Sequence, residues 1–215
     1  SNYPYSIKWV GEDDPTLIND PRFAPAGVLA PKSKADLAFL MHITSWLSSD
    51  GTAAVVSFPG VLYRGGSEAK IRKYLVDSNF IDAVIQLPDN LFFGTSIATC
   101  IIVIKKNKKE AKTLFIDASQ QFIHEGNKNK LSDDNIKTIL DEWVERSEVR
   151  HFSKLVDNSD IAENGYNLSV SSYVEKEDTK EAVDIVKLNA EIEEIVKKED
   201  LLRKEIDAII KDLEA

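Results

Sequence analysis

Thr52-Ala-Ala-Val-Val-Ser-Phe58, Phe80-Ile-Asp-Ala-Val-Ile-Gln-Leu87 and Ile97-Ala-Thr-Cys-Ile-Ile-Val-Ile104 are three short apolar runs, and their reading decides the fold. Each is too short and too rich in β-branched residues for a helix, and its near-continuous apolar character suits a strand buried on both faces. Gly51 and Pro59-Gly60 bound the first run, while Asp89-Asn90 and Phe93-Gly94-Thr95 mark a loop between the second and third. Ahead of them, Leu37, Leu40, Met41, Ile43, Thr44 and Leu47 recur at helical spacing between Pro31 and Ser49. A second helix is expected over 67–77, where Ile71, Tyr74 and Leu75 alternate with Lys and Arg; Leu114-Phe-Ile116 extends the sheet.

The order helix, strand, helix, strand, strand predicts an α/β sheet whose first strands are parallel and whose last two form an antiparallel hairpin. This amounts to about half of a doubly wound domain. The outer edge of the first strand is expected to be unpaired unless more sheet precedes residue 1, so the chain reads as part of a larger protein or as one that assembles with a missing half. After Asp117, Asn127-Lys-Asn-Lys130 reads as a polar loop, and Ser132-Asp-Asp-Asn135 caps a helix carrying Ile136, Ile139, Leu140, Trp143 and Val144. From Glu181, the residues Ile185, Leu188, Ile192, Ile195, Leu202, Ile206, Ile209 and Leu213 step by three and four, with Glu199 intruding at the seam. A long amphipathic, coiled-coil-like helix follows, with acids from Glu181 and Asp184 to Glu214 outnumbering bases, so a basic helix is its expected partner. The resulting division is 1–117, a connecting region 118–180, and the helix 181–215.

Composition narrows the function classes. With 36 acidic and 27 basic residues, the formal charge of −9 opposes autonomous binding to nucleic acid, so a DNA-related role requires a basic partner or local patch. No apolar run approaches the roughly 20 residues of a membrane span, and a lone cysteine, Cys100, points to a reducing cytoplasm. Cys100 and the scattered His42, His124 and His151 have no familiar metal spacing, and no metal is expected.

Asn2-Tyr3-Pro4-Tyr5 is the segment with the most chemical content. A side-chain amide, a stiffened turn and an aromatic ring suit a planar base: the Asn oxygen and a neighbouring backbone carbonyl accept from an exocyclic amine while the ring stacks. The bland alternative is a strand-end turn. Phe92 and Phe93 can form the other half of a base sandwich, or simply close the hairpin as core aromatics. Arg64-Gly65-Gly66 can hold an anion at a helix start or be an ordinary turn, and Lys105-Lys-Asn-Lys-Lys109 can meet phosphate or be a solvated strand end.

The segment Asn2-Tyr-Pro-Tyr-Ser-Ile-Lys-Trp9 resembles the Asn-Pro-Pro-Tyr region of the modification subunit of type I restriction-modification systems. In matching order, so do Asp20-Pro-Arg-Phe-Ala-Pro-Ala-Gly27, Tyr63-Arg-Gly-Gly66, Asn90-Leu-Phe-Phe-Gly-Thr95 and Tyr166-Asn-Leu-Ser-Val-Ser-Ser-Tyr173. The resemblance implies the distal half of a Rossmann-like methyltransferase sheet and transfer of a methyl group from S-adenosyl-L-methionine to N6 of adenine in DNA. It implies that Asn2 accepts from the amino group, Pro4 shapes the turn and Tyr5 stacks. Implied partners are DNA, a specificity subunit docked on the terminal helix, a restriction subunit and a second modification subunit. Tyr3 departs from the family pattern by replacing the first Pro. Rival readings are a non-catalytic assembly module and an α/β enzyme acting on RNA or a small molecule. Nothing in the chain matches the family's Gly-rich cofactor motif, expected upstream of residue 1. Calorimetric titration of this chain alone with S-adenosylmethionine should therefore show no micromolar binding; a micromolar isotherm would mean that the cofactor site lies within it.

Overall fold

The computed structural model describes residues 1–11, 14–176 and 185–213. Ser1–Lys176 form one compact unit and Glu177–Ala215 a second. The first is built on a mixed sheet of β1 (Thr52–Ser57), β2 (Ile81–Gln86), β3 (Cys100–Lys105), β4 (Lys112–Asp117) and β7 (Ser153–Asp157), with β5 (Ile123–Glu125) and β6 (Lys128–Lys130) forming a separate hairpin. Helices α1 (Asp36–Trp46), α2 (Ser67–Asp77), α3 (Asp133–Glu145) and α4 (Asn158–Glu163) accompany it.

The three decisive runs are strands, and β2–β3 is the expected antiparallel hairpin. Their spatial order differs from the expectation. The sheet runs β1-β3-β2-β4-β7, so β3 lies between β1 and β2 and is antiparallel to both; the parallel neighbours are β2 and β4. Each residue of β1 from Thr52 to Ser57 pairs with β3, giving the buried central strand hydrogen-bond partners on both sides. Three further expectations are corrected. The outer edge of β1 is partly covered, because Val56 N donates to Ser1 O at 2.9 Å and Ser1 N donates to Ala54 O at 2.8 Å. Residues placed in a connecting region supply β7, which pairs antiparallel with β4 along Lys112–Ile116, and the polar loop is the β5–β6 hairpin, turned at Gly126 with φ 62°.

One sheet face packs Val55, Val84, Ile102, Ile104 and Phe115 with Leu37, Leu40, Ile71 and Leu75 of α1 and α2 and with Ile161 of α4. The other packs Ala83, Ile85, Val103, Leu114 and Ile116 against Ile139 and Trp143 of α3. Strands covered on both sides explain the continuous apolar runs. The capping box of α3 forms as its sequence suggests: Ser132 Oγ accepts from Asn135 N at 3.2 Å and Asn135 Oδ1 accepts from Ser132 N at 3.0 Å. At its other end Arg146 turns left-handed with φ 52°. That turn brings Arg146 Nη1 to Asp82 Oδ1 at 3.1 Å, while Trp143 Nε1 donates to Asp82 Oδ2 at 2.9 Å.

In the second unit α5 spans Ile185–Leu213 and exposes Leu188, Ile192, Ile195, Leu202 and Ile206. Residues 181–184 and 214–215, expected in that helix, lie outside the described residues.

Asp82 is a buried carboxylate satisfied by two donors of α3. Asp82→Ala should lower unfolding stability by about 2–3 kcal/mol, since it strands an indole N–H and a guanidinium; urea denaturation of the chain measures this.

Candidate active site

The carboxyl ends of β1, β2 and β4 face one way, because β2 and β4 are parallel and β3 pairs antiparallel with both β1 and β2. Loops at this end are where α/β sheets place ligands. Asn2 enters there as a parallel bridge to Val56. Tyr3 turns inward and is only 6% exposed, while Asn2 and Pro4 stay at the surface and Tyr5 is half-buried. The Tyr3 ring stacks on Phe39 with centroids 5.2 Å apart and planes 11° apart, and Tyr5 meets Tyr3 edge-on at 5.6 Å and 86°. This returns the Tyr5 hydroxyl to Asn2, donating to Oδ1 at 2.7 Å. The structure thus joins Asn2 and Tyr5 in one polar pair, with exposed Pro4 between them in the chain.

The segment after the motif is stitched to the start of α1. Ser6, at φ 54°, donates its amide to Asp36 Oδ1 at 3.0 Å, and Ala35 N donates to Ile7 O at 2.9 Å. Trp9 adds two bonds, from its amide to Lys32 O and from Nε1 to Pro31 O. Asp36, fully buried in the first turn of α1, is not among the site residues expected from the sequence, although it ends the segment Pro31-Lys-Ser-Lys-Ala-Asp36 that resembles the family and stands before an apolar helix face.

Burial pushes the Tyr3 hydroxyl well above the usual phenol range and raises that of Tyr5. Burial also pushes the Cys100 thiol up to about 12. These groups remain protonated at neutral pH, so the site holds neutral donors and acceptors rather than an ionised nucleophile. Tyr3 Oη and Ser57 Oγ are buried near one another without hydrogen-bond geometry between them.

Phe92 and Phe93 lie on the β2–β3 loop at the same end of the sheet. Phe92 is half-buried, whereas Phe93 is fully exposed, which removes the core-aromatic reading for Phe93. Among the described residues neither ring contacts Tyr5, whose ring neighbour is Tyr3. The loop is tied from outside. Lys128 Nζ donates to Asn90 Oδ1, Phe92 O and Thr95 O at 2.8, 3.0 and 3.3 Å. Asn129 Nδ2 donates to Asp89 O and Oδ1, both at 3.0 Å, and Asn90 Nδ2 to Asn127 O at 2.8 Å. Sequence reasoning overlooked Lys128, because its partners lie more than thirty residues away.

The other basic candidates have local partners. Arg64 lies over the Phe58 ring and 3.5 Å from Glu68, at the glycine turn leading into α2. Lys106 and Lys108 donate to backbone carbonyls of Leu47, Ile81 and Lys112, at the end of the sheet opposite Asn2.

The family model described as N-6 DNA Methylase matches residues 1–182. The chain is 52% identical over 214 residues to the type I restriction enzyme MpnII methylase subunit of Mycoplasma pneumoniae, covering 99% of this chain and 39% of that protein. It is 34% identical over 209 residues to the MjaVII methylase subunit of Methanocaldococcus jannaschii, covering 93% and 36% respectively. The crystal structure of the type I restriction-modification methyltransferase subunit from Streptococcus thermophilus superposes with a TM-score of 0.78 at 45% identity, over 81% of this chain and 37% of that one. The chain therefore spans less than two fifths of the length of these relatives.

Tyr3→Phe removes a buried hydroxyl that, among the described residues, has Ser57 nearby but no partner in good hydrogen-bond geometry. It should leave stability unchanged or raise it by about 1 kcal/mol in a urea melt; a clear loss would mean that the hydroxyl is bonded in solution, to Ser57 or to water.

Proposed function

We propose, because this chain belongs to the N-6 DNA methylase family, that it forms the adenine-holding part of a type I modification subunit, which methylates N6 of adenine in DNA. The observation that carries this reading is the Asn2–Tyr5 pair, an exposed amide oxygen and an aromatic ring held together at the carboxyl end of the sheet. Asn2 Oδ1 is an acceptor already engaged by a hydroxyl donor in the resting geometry. An entering adenine replaces that donor with its N6 amino group, and the backbone carbonyl of Tyr3 is the second acceptor. Two acceptors on one amino group turn its lone pair out of conjugation and toward the methyl donor, which raises its nucleophilicity only where the geometry is held. Tyr3 does the holding through its stack on Phe39, so its replacement of a proline is compatible with the clamp. Tyr5 then stacks on one face of the extruded base, and Phe92 or Phe93 closes the other.

S-adenosylmethionine supplies the methyl group when bound. Residues 2–7 carry no charged side chain to meet its methionyl carboxylate and ammonium groups, so they fit the base and not the cofactor. We assign the cofactor contacts to the remainder of the subunit, as the distal half of a methyltransferase sheet would require. The helix α5, with its row of exposed leucines and isoleucines, is the docking element for a specificity subunit. A restriction subunit and a second modification subunit complete the assembly in the cytoplasm; among the described residues no helix is long and apolar enough to cross a membrane. The same exposed helix face favours a second reading, an assembly module with an inert motif.

The deciding measurement is labelled-methyl transfer to unmodified plasmid DNA by the full-length subunit with its specificity partner. Asn2→Ala should reduce transfer by about a hundredfold or more, while Tyr5→Phe, which keeps the ring, should stay within about threefold. An assembled wild-type complex that transfers nothing would establish the assembly reading.

A further inference from the structure

Lys128 is a heavily engaged cation at the carboxyl end of the sheet. Its ammonium group has three protons and makes three hydrogen bonds, to Asn90 Oδ1, Phe92 O and Thr95 O, all on the loop that bears Phe92 and Phe93. Two of these acceptors are backbone carbonyls, one on each side of the exposed Phe93. The contact therefore fixes the path of the main chain through the aromatic pair rather than a side chain alone. Around it the β5–β6 hairpin contributes Asn129, which is buried and bonded to Asp89 through its side chain and to Asn90 O through its amide at 3.1 Å, and Asn127, which accepts from Asn90. Asn90 itself is left-handed, with φ 53°, and its amide donates to Ser96 O across the loop at 3.2 Å. A loop so bonded has few conformations left, yet it presents a phenylalanine entirely to solvent. Holding a large apolar side chain in water on an ordered backbone is unfavourable without a partner, and pre-ordering reduces the entropy lost when that partner arrives.

We infer that Lys128 is a positioning residue for base capture: it holds the Phe92–Phe93 loop in the geometry that receives the extruded adenine, with the β5–β6 hairpin as its support. The inference rests on the adenine-methylation reading above and adds to it a residue that touches neither base nor cofactor. It also gives the small hairpin a purpose, since among the described residues β5 and β6 form a two-stranded sheet separate from the main one.

The test uses the full-length subunit with its specificity partner and three variants. Lys128→Met keeps most of the side-chain length and removes the donors; Asn90→Ala removes one acceptor; Lys130→Met removes the same charge from the same hairpin, where Lys130 pairs with exposed Glu125. Hydrogen exchange of residues 90–97 should rise about tenfold in Lys128→Met, with exchange in β2 and β3 unchanged. KM for unmodified plasmid DNA should rise about tenfold with kcat within about twofold, because the loop acts before the chemical step. Asn90→Ala should give a smaller change that does not add to that of Lys128→Met, and Lys130→Met should behave as wild type. Unchanged loop exchange in Lys128→Met would overturn the anchoring. Raised exchange with unchanged KM, or an equal effect of Lys130→Met, would overturn the role in base capture while leaving the functional reading intact. Wild-type protein that transfers no methyl group would instead refute that reading and the purpose given to Lys128 with it.

Discussion

β3 gives its backbone hydrogen bonds to β1 on one side and β2 on the other, antiparallel to both, and the placement of everything else follows from this. Two strands that flank a common antiparallel partner must point the same way, so β1 and β2 present their carboxyl ends together, and parallel β4 joins them. The motif turn, the glycine turn before α2, the aromatic loop and the β5–β6 hairpin all leave the sheet at that end. Had β3 paired on the far side of β1, Cys100 and the aromatic loop before it would be separated from Gln86, with which Cys100 is now in register.

On this frame the local geometry of the motif is set by one buried ring. Tyr3 stacks on Phe39, and its neighbours in the chain are thereby turned outward, leaving Asn2 and Pro4 exposed. The Asp36 carboxylate, accepting from Ser6, and the Trp9 bonds to Pro31 and Lys32 then close the segment onto the start of α1. A buried aromatic holds the turn where the family's first proline would restrict it through its own ring. The two devices restrict the same turn, through packing in one case and covalent stiffness in the other.

Much of this was legible in the sequence. Continuous apolar runs bounded by Gly and Pro marked β1, β2 and β3, helical spacing marked α1 and α2, and Ser132 to Asn135 announced the α3 cap. Sheet order was not legible, because it depends on which strands meet across long separations and not on any strand's own pattern. β7 was hidden because Ser153-Lys-Leu-Val-Asp157 has only two apolar residues and is an edge strand of the sheet. The tetrapeptide drew attention to Asn2 and Tyr5 by residue type, but the hydrogen bond between them depends on the Tyr3 stack, a contact with a helix more than thirty residues on. Lys128 lay in a run of Asn and Lys that reads as solvent-exposed, and only the folded chain shows where its protons go.

The basic run Lys105–Lys109 illustrates how charge is allocated. It follows β3, so it emerges at the end of the sheet away from Asn2, and two of its lysines bind backbone carbonyls of the chain itself. Burial lowers Lys108 to about 8, the reverse of what a phosphate neighbour would do. Lys128, at the clamp end, has all three protons engaged by the loop. What the motif offers at the candidate site is an amide, a backbone carbonyl acceptor and aromatic rings. Such groups discriminate a base once it is extruded but contribute little to the salt-dependent attraction that brings a duplex to a protein. In the proposed assembly, grip on the phosphates and choice of sequence therefore fall to the specificity partner. In that proposal the clamp presents neutral groups, the Asn2 amide and the Tyr5 ring, to an entering adenine.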